Sequence, residues 1–186
     1  MSIVASVAGL VGERPAAGAR DVVVTDVHGV VHPGRPDLSP QLHRTADNTN
    51  PRGVVGTLPQ AVIGSGLFVG GSSPNILSAD DPATMAPSSV VFAPADPTPE
   101  VDPVAASRHA AVVATGRSDF ANQINTVLAF PGVFRGLLDA RSRTVSTPML
   151  LAAAVERAAR DEGFAGHVQR RWRAGQEGAA ARRDRA

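Results

Sequence analysis

In 186 residues the chain has no cysteine, no lysine and no tyrosine. Without cysteine there is no disulfide framework, no thiolate metal site and no thiol nucleophile. Without lysine or tyrosine the chain offers neither a side-chain amine nor a phenol, two common agents of proton transfer. Charged residues make up only 19% and aromatics 4%, against 43% hydrophobic residues, a balance that belongs to globular chains and not to disordered ones. No uninterrupted apolar run approaches the roughly 20 residues that cross a bilayer. The opening Met1-Ser2-Ile3-Val4 lacks the basic region that begins a secretory signal. A cytoplasmic location and no membrane partner are therefore expected.

The chain has the length of one domain with a real core. All 18 basic residues are arginine, and the net charge is +1. Abundant Ala, Arg, Gly and Pro are read as the mark of a GC-rich genome in preference to a functional choice of Arg over Lys. Short apolar, β-branched runs bounded by turn residues recur at 22–25, 67–70, 90–93 and 111–114. Continuous runs of this kind suit strands covered on both faces. Segments able to form helices lie between them, around 58–63, 80–85 and 101–108. The alternation predicts an α/β fold with a parallel sheet, flanking helices and right-handed crossovers. Apolar positions fit a helical face over 123–138, where Pro131-Gly132 should kink or divide it, and a second helix is predicted over about 148–161 with Pro148 in its first turn.

The stretches 31–40 and 47–53 read as loops. From 163 to 186 the chain turns polar and basic, with Arg170, Arg171, Arg173, Arg182, Arg183 and Arg185 among Gly and Ala. The reading is one domain over 1–162 and a flexible basic tail over 163–186. That tail interleaves a single aromatic, Trp172, so nucleic acid is not an expected partner. His28, His32, His43, His109 and His167 show neither the HxxxH nor the HExxH spacing of a zinc helix, and no metal site is predicted from them.

Four blocks are more specific. Asp21-Val22-Val23-Val24-Thr25-Asp26-Val27-His28-Gly29 is a strand ending in a carboxylate, and Ser72-Ser73-Pro74-Asn75-Ile76-Leu77 follows another strand. Then come Val91-Phe92-Ala93-Pro94-Ala95-Asp96-Pro97-Thr98-Pro99-Glu100 and the long run from Ala114-Thr115-Gly116-Arg117-Ser118-Asp119-Phe120-Ala121-Asn122-Gln123-Ile124-Asn125-Thr126 to Val133-Phe134-Arg135-Gly136. Together they resemble the C-terminal, NAD-binding domain of bacterial malic enzymes, the oxaloacetate-decarboxylating malate dehydrogenases. The resemblance runs from about Ala16 to about Ala154.

It implies a Rossmann-like fold and a parent reaction in which malate is oxidatively decarboxylated to pyruvate with NAD. Asp26, at the end of the second strand, can accept both hydroxyls of the adenosine ribose and repel the extra phosphate of NADP, although an Asp in this place is also an ordinary turn former. Ser72, Ser73 and Asn75 stand where ligands dock in open α/β sheets, and equally where Ser-Pro-Asn makes a turn. The resemblance implies that the position of Asp96 is normally an asparagine touching substrate or the nicotinamide side, and that Asn125-Thr126 occupies an Asn-Asn pair of which a member binds the malate carboxylate. An ionised Asp96 only accepts hydrogen bonds and repels malate, and Thr126 is shorter than asparagine. Asn125 remains the best candidate for a substrate contact. Arg117 and Arg135 are expected to pair with carboxylates, Arg117 most simply with Asp119, in preference to binding an anion.

The family draws a lysine base, a tyrosine acid and an acidic triad for Mg²⁺ or Mn²⁺ from an N-terminal domain. These residues supply no catalytic lysine or tyrosine, so no catalytic residue is assigned, and the metal is expected only in a complete enzyme. Only 25 residues precede Asp26. A first strand is predicted within 3–7. Val7-Ala8-Gly9-Leu10-Val11-Gly12-Glu13-Arg14-Pro15 stands where a G-x-G-x-x-G-like loop falls in the family, without that fingerprint. The expectation is an N-terminally truncated domain whose first strand and phosphate loop are shortened or missing, with an exposed sheet edge and weak or lost NAD binding. By itself such a chain does not turn over malate. The alternative is a non-catalytic partner, or a fragment completing a separately encoded catalytic domain.

Overall fold

Val22, Val23 and Val24 are all buried, yet they belong to two different clusters. Val23 packs with Val4, Phe68, Val91 and Val62, whereas Val22 and Val24 pack with Val31, Ala46, Leu38 and Leu42. Side chains alternate across a strand, so this segment is buried on both faces and carries a layer of packing on each. In the computed structural model, which describes residues 2–5, 21–120, 122–124, 130–146, 148–150 and 152, it forms strand β2 (Asp21–Asp26).

β1 (Ser2–Ala5) lies between β2 and β4 (Leu67–Val69), parallel to both. β5 (Val90–Ala93) and β6 (Val112–Thr115) continue the parallel set, and β3 (Gly29–Val30) pairs antiparallel with β2. The order is β3-β2-β1-β4-β5-β6. α1 (Pro40–Asn48) covers one face through Ala46. α2 (Leu58–Val62), α3 (Asp81–Thr84) and α4 (Pro103–Ala106) follow β3, β4 and β5 in the chain, and Ala61, Val62 and Ala106 from α2 and α4 enter the other cluster. α5 (Phe130–Asp139) comes after β6.

The four strands and three helices expected between 22 and 114 are all present, within a residue or two at most of their ends. The first strand is short, at four residues, and it is not an edge. Ser2↔Asp21 through Ala5↔Val24 pair on one side, and Ile3↔Leu67 through Ala5↔Val69 on the other. The exposed edge expected at the N-terminal end is therefore corrected: β3 and β6 are the outer strands.

α1 also corrects the reading of 31–40 and 47–53 as loops, since it includes Pro40, Asp47 and Asn48. Only Thr45 and Ala46 of that helix are buried, a stripe too thin to mark the helix by hydrophobic period. Its start is chemical: Ser39 Oγ accepts from the Leu42 N–H, and Pro40 stands in the first turn. Of the helix expected over 123–138, Phe130–Asp139 is helical and contains Pro131, Gln123 forms an isolated bridge with Thr115, and 125–129 lie outside the described residues. Residues 148–150 are helical, as expected. The segment 6–20, Asn125, Thr126 and the tail 163–186 lie outside the described residues. No helix among the described residues is long and apolar enough to cross a membrane.

Candidate functional site

β2 ends at Asp26, and a two-residue turn, Val27-His28, leads into β3. Gly29 makes this turn possible. Its φ is +104°, and a Cβ there would stand 2.4 Å from the Gly56 carbonyl oxygen. The next N–H, of Val30, donates to that same oxygen at 2.8 Å. The hairpin is thus sutured to the 50s loop, and Asp26 is held at the carboxyl end of the sheet.

The Asp26 carboxylate is gripped from behind. Arg35 Nη1 donates to Oδ1 at 2.8 Å and Nη2 to Oδ2 at 3.0 Å, while the His28 N–H also donates to Oδ1 at 2.8 Å. The remaining Arg35 donors reach Asp37 (Nε to Oδ1 at 2.9 Å, Nη2 to Oδ2) and the carbonyls of Gly29 and Val30. Arg35 has an 8% exposed side chain, and its guanidinium has no donor left over. Hydrogen bonding by Asp37 and then by Asp26 raises its pKa. In return the Arg35 hydrogen bond holds Asp37 down at about 2.

A carboxylate has about four acceptor sites, and three on Asp26 are taken. One remains on Oδ2. Asp26, Ser72 and Ser73 line a cleft of about 480 Å³ whose apolar walls are Val27, Leu58 and Ile76. Val27 is 91% exposed.

Asp96 is not in this cleft. It lines a second depression, of about 580 Å³, with Pro97, Gly116, Arg117, Asp119 and Gln123. There Arg117 chelates Asp119, Nε to Oδ1 at 2.8 Å and Nη2 to Oδ2 at 2.6 Å, donates to the Pro97 carbonyl at 3.3 Å and stacks 5.5 Å above Phe120. The expected pairing of Arg117 with Asp119 is what forms, and Arg135 pairs with Asp139 one helical turn away.

Asn75 joins the two regions through its backbone. Held at φ +54°, it donates its N–H to the Pro99 carbonyl at 3.0 Å, and the Leu77 N–H donates to the Glu100 carbonyl at 3.0 Å. Glu100 itself is fully buried; Oε2 accepts the Ala95 N–H at 3.0 Å, and Oε1 has no partner among the described residues. It ties the loop after β4 to the loop that carries Asp96.

Sequence reasoning missed Arg35 and Glu100. The available signals were the Arg35-Pro36-Asp37 spacing and a lone glutamate closing a Pro-rich turn after a strand. Among the described residues no three His, Asp or Glu side chains gather as a metal site.

The order β3-β2-β1-β4-β5-β6, with a carboxylate at the end of β2 beside a cleft at the carboxyl ends of the strands, defines a doubly wound, Rossmann-like α/β domain. No protein-family model matches the chain. It is 45% identical over 139 residues to an NAD-dependent malic enzyme of Geobacillus stearothermophilus, covering 75% of this chain and 29% of that protein. It is 42% identical over 142 residues to an NADP-dependent malic enzyme of Halomonas elongata, covering 74% of this chain and 33% of the other. The crystal structure of an NAD-dependent malic enzyme from Thermotoga maritima superposes with a TM-score of 0.78 at 35% identity, over 86% of this chain and 44% of that one. The chain is a homologue of the malic enzymes and corresponds to a part of them, spanning about a third or less of those two relatives by sequence.

Proposed function

We propose that the chain is the NAD-binding, C-terminal domain of a malic enzyme, that it holds the adenosine half of the dinucleotide in the Asp26 cleft, and that it does not turn over malate by itself. The observation that carries the first part is the carboxylate at the end of β2, facing a cleft with apolar walls inside a malic-enzyme homologue. The described residues fit an adenosine: Val27, Leu58 and Ile76 offer a slot for a purine, and Asp26 keeps one acceptor for a ribose hydroxyl. NAD supplies the hydride acceptor of the parent reaction, the oxidative decarboxylation of malate to pyruvate. Weak affinity is expected, since the segment 7–15 lacks the glycine fingerprint that cradles pyrophosphate.

The inactive reading rests on composition. The family moves its protons with a lysine and a tyrosine, and these 186 residues contain neither. Asn125 and Thr126 are proposed as the malate contacts, Asp96 as the residue facing the nicotinamide, and Mg²⁺ or Mn²⁺ belongs only to a complete enzyme. The proposed organisation is a domain over 1–162 and a basic tail over 163–186, in a cytoplasmic protein without nucleic-acid partners.

Isothermal titration of the purified chain with NAD tests the binding, and an assay with malate, NAD and Mn²⁺ tests the rest. Weak saturable binding without turnover is the expected result. Robust production of pyruvate and NADH by this polypeptide alone refutes the inactive reading.

A second reading is a non-catalytic partner, or a fragment completing a separately encoded catalytic domain. Adding the N-terminal catalytic part of a related malic enzyme distinguishes the two. Restored turnover supports complementation, and a mixture as inactive as the chain alone counts against it.

A further inference from the structure

Arg35 is the most heavily engaged side chain of the site. Its guanidinium lies between two carboxylates and bonds both oxygens of each, with the leftover Nη1 hydrogen turned to the Gly29 and Val30 carbonyls. A planar fork bonded at both ends fixes the plane of each carboxylate, which a lysine ammonium cannot do. Two carboxylates against one guanidinium leave the cluster at a net charge of −1.

An arginine near an adenosine ribose is also the usual receiver of the 2′-phosphate of NADP. Arg35 is not placed for that role. With its side chain 8% exposed and all five N–H groups committed, a phosphate could draw on it only by displacing Asp26 or Asp37. A 2′-phosphate approaching through the cleft meets Asp26 first.

We infer that Arg35 is a positioning residue for nucleotide choice: it locks Asp26 with a single acceptor open toward the cleft, so that one ribose hydroxyl is taken and a 2′-phosphate is opposed. The inference rests on the reading of the cleft as an adenosine site, and it goes further by naming the residue that sets the preference between NAD and NADP. The relatives give no guidance, since they include enzymes of both kinds.

The test is calorimetric titration of the full chain with NAD and with NADP at pH 8, where unperturbed histidines are neutral. Two variants accompany it, Arg35→Lys and the double variant Arg35→Met/Asp37→Asn. Each leaves the cluster at −1 while removing the fork, so orientation changes and charge does not. In both, NAD affinity is expected to fall about tenfold, the size of one hydrogen bond to a carboxylate. NADP affinity, which never drew on that bond, is expected to change less than about threefold. The preference for NAD therefore narrows.

Equal losses for both nucleotides, or no loss for either, in folded variants overturn the inference and leave Arg35 a structural brace. A wild-type chain that binds NAD and NADP equally overturns it while the adenosine site stands. A chain that binds neither overturns both. Should the variants fail to fold, the Arg35 Nε–H resonance of the wild-type chain decides. The expected result is a shift on saturation with AMP, and an unmoved resonance in an AMP-bound chain overturns the inference.

Discussion

Glu100 lies against the α-carbon of Gly70 so closely that a Cβ built on the glycine stands 2.4 Å from Glu100 Oε1. Gly70 ends the run from β4 and donates its N–H to the Phe92 carbonyl at 2.7 Å. Neither side can yield cheaply, because Glu100 is fully buried and its other oxygen holds the Ala95 N–H. Gly70→Ala is expected to destabilise the fold by about 1–3 kcal/mol, the usual range for overfilling a packed interior. Urea denaturation reads the change as a lower midpoint at unchanged slope. A midpoint equal to wild type would show that Glu100 can move aside.

Glu100→Gln separates the carboxyl group of that side chain from its shape. The amide oxygen can still accept the Ala95 N–H, whereas Glu100→Ala strands that donor and opens a cavity. We expect the alanine variant to lose about 2–4 kcal/mol, and the glutamine variant to lose less than half as much. Equal losses in the two thermal melts would mean that the loop requires a carboxyl group and not only an acceptor oxygen.

The Asp26–Arg35–Asp37 cluster should be visible in acid. Asp37 is held at about 2, below its ordinary value of 3.8. A carboxyl whose folded pKa is depressed stabilises the fold at every pH above its unfolded pKa, and that contribution drains away as pH falls toward the folded value. The window is therefore about pH 4 to 2. In Asp37→Asn the melting temperature should fall less steeply across this window than in wild type, and the two slopes should agree between pH 5 and 7. A parallel decline below pH 4 would remove Asp37 from the acid response.

How much of this was legible beforehand follows from what each element depends on. The valine-rich strands announced themselves because both faces of the sheet are covered, so that Val22, Val23 and Val24 are all buried and all apolar. α1 did not, since only Thr45 and Ala46 are fully buried, Leu42 packs half-buried beside them, and its beginning is encoded by Ser39 and Pro40. Asp26 was singled out by the family resemblance together with its place at a strand end, which alone would mark an ordinary turn former. Arg35 was not, because its meaning lies in a contact with Asp26 nine residues away, across a hairpin that bends at Gly29. Spacing along the chain carries no trace of that fold-back. Glu100 is a similar case: its burial is created by Gly70, thirty residues earlier.

Gly29 gives a second backbone test. Its φ of +104° is costly for any side chain, and a Cβ would meet the Gly56 carbonyl that anchors Val30. Gly29→Ala should cost about 1–3 kcal/mol, the range for a side chain held in such a backbone region. It should also loosen Asp26, so nucleotide affinity is expected to fall along with the melting temperature. Full affinity at a lowered melting temperature would uncouple the hairpin from the site.

Val27 permits the converse separation. At 91% exposure it contributes almost nothing to the core, yet it lines the Asp26 cleft together with Ile76 and Leu58. An exposed β-branched residue at a hairpin tip gains apolar contact only when something fills the slot. At about 25 cal/mol per Å² of buried apolar surface, covering roughly 40 Å² of it contributes about 1 kcal/mol to binding. Val27→Ser should therefore leave the melting temperature within about 1 °C of wild type, since surface substitutions rarely move stability. AMP and NAD affinities should both weaken about three- to sixfold. Titration with ribose 5-phosphate, which has no purine, provides the control, and its affinity should not change. If NAD binding survives Val27→Ser intact, the purine does not lie in this slot, and the adenosine must be sought elsewhere along the carboxyl edge of the sheet.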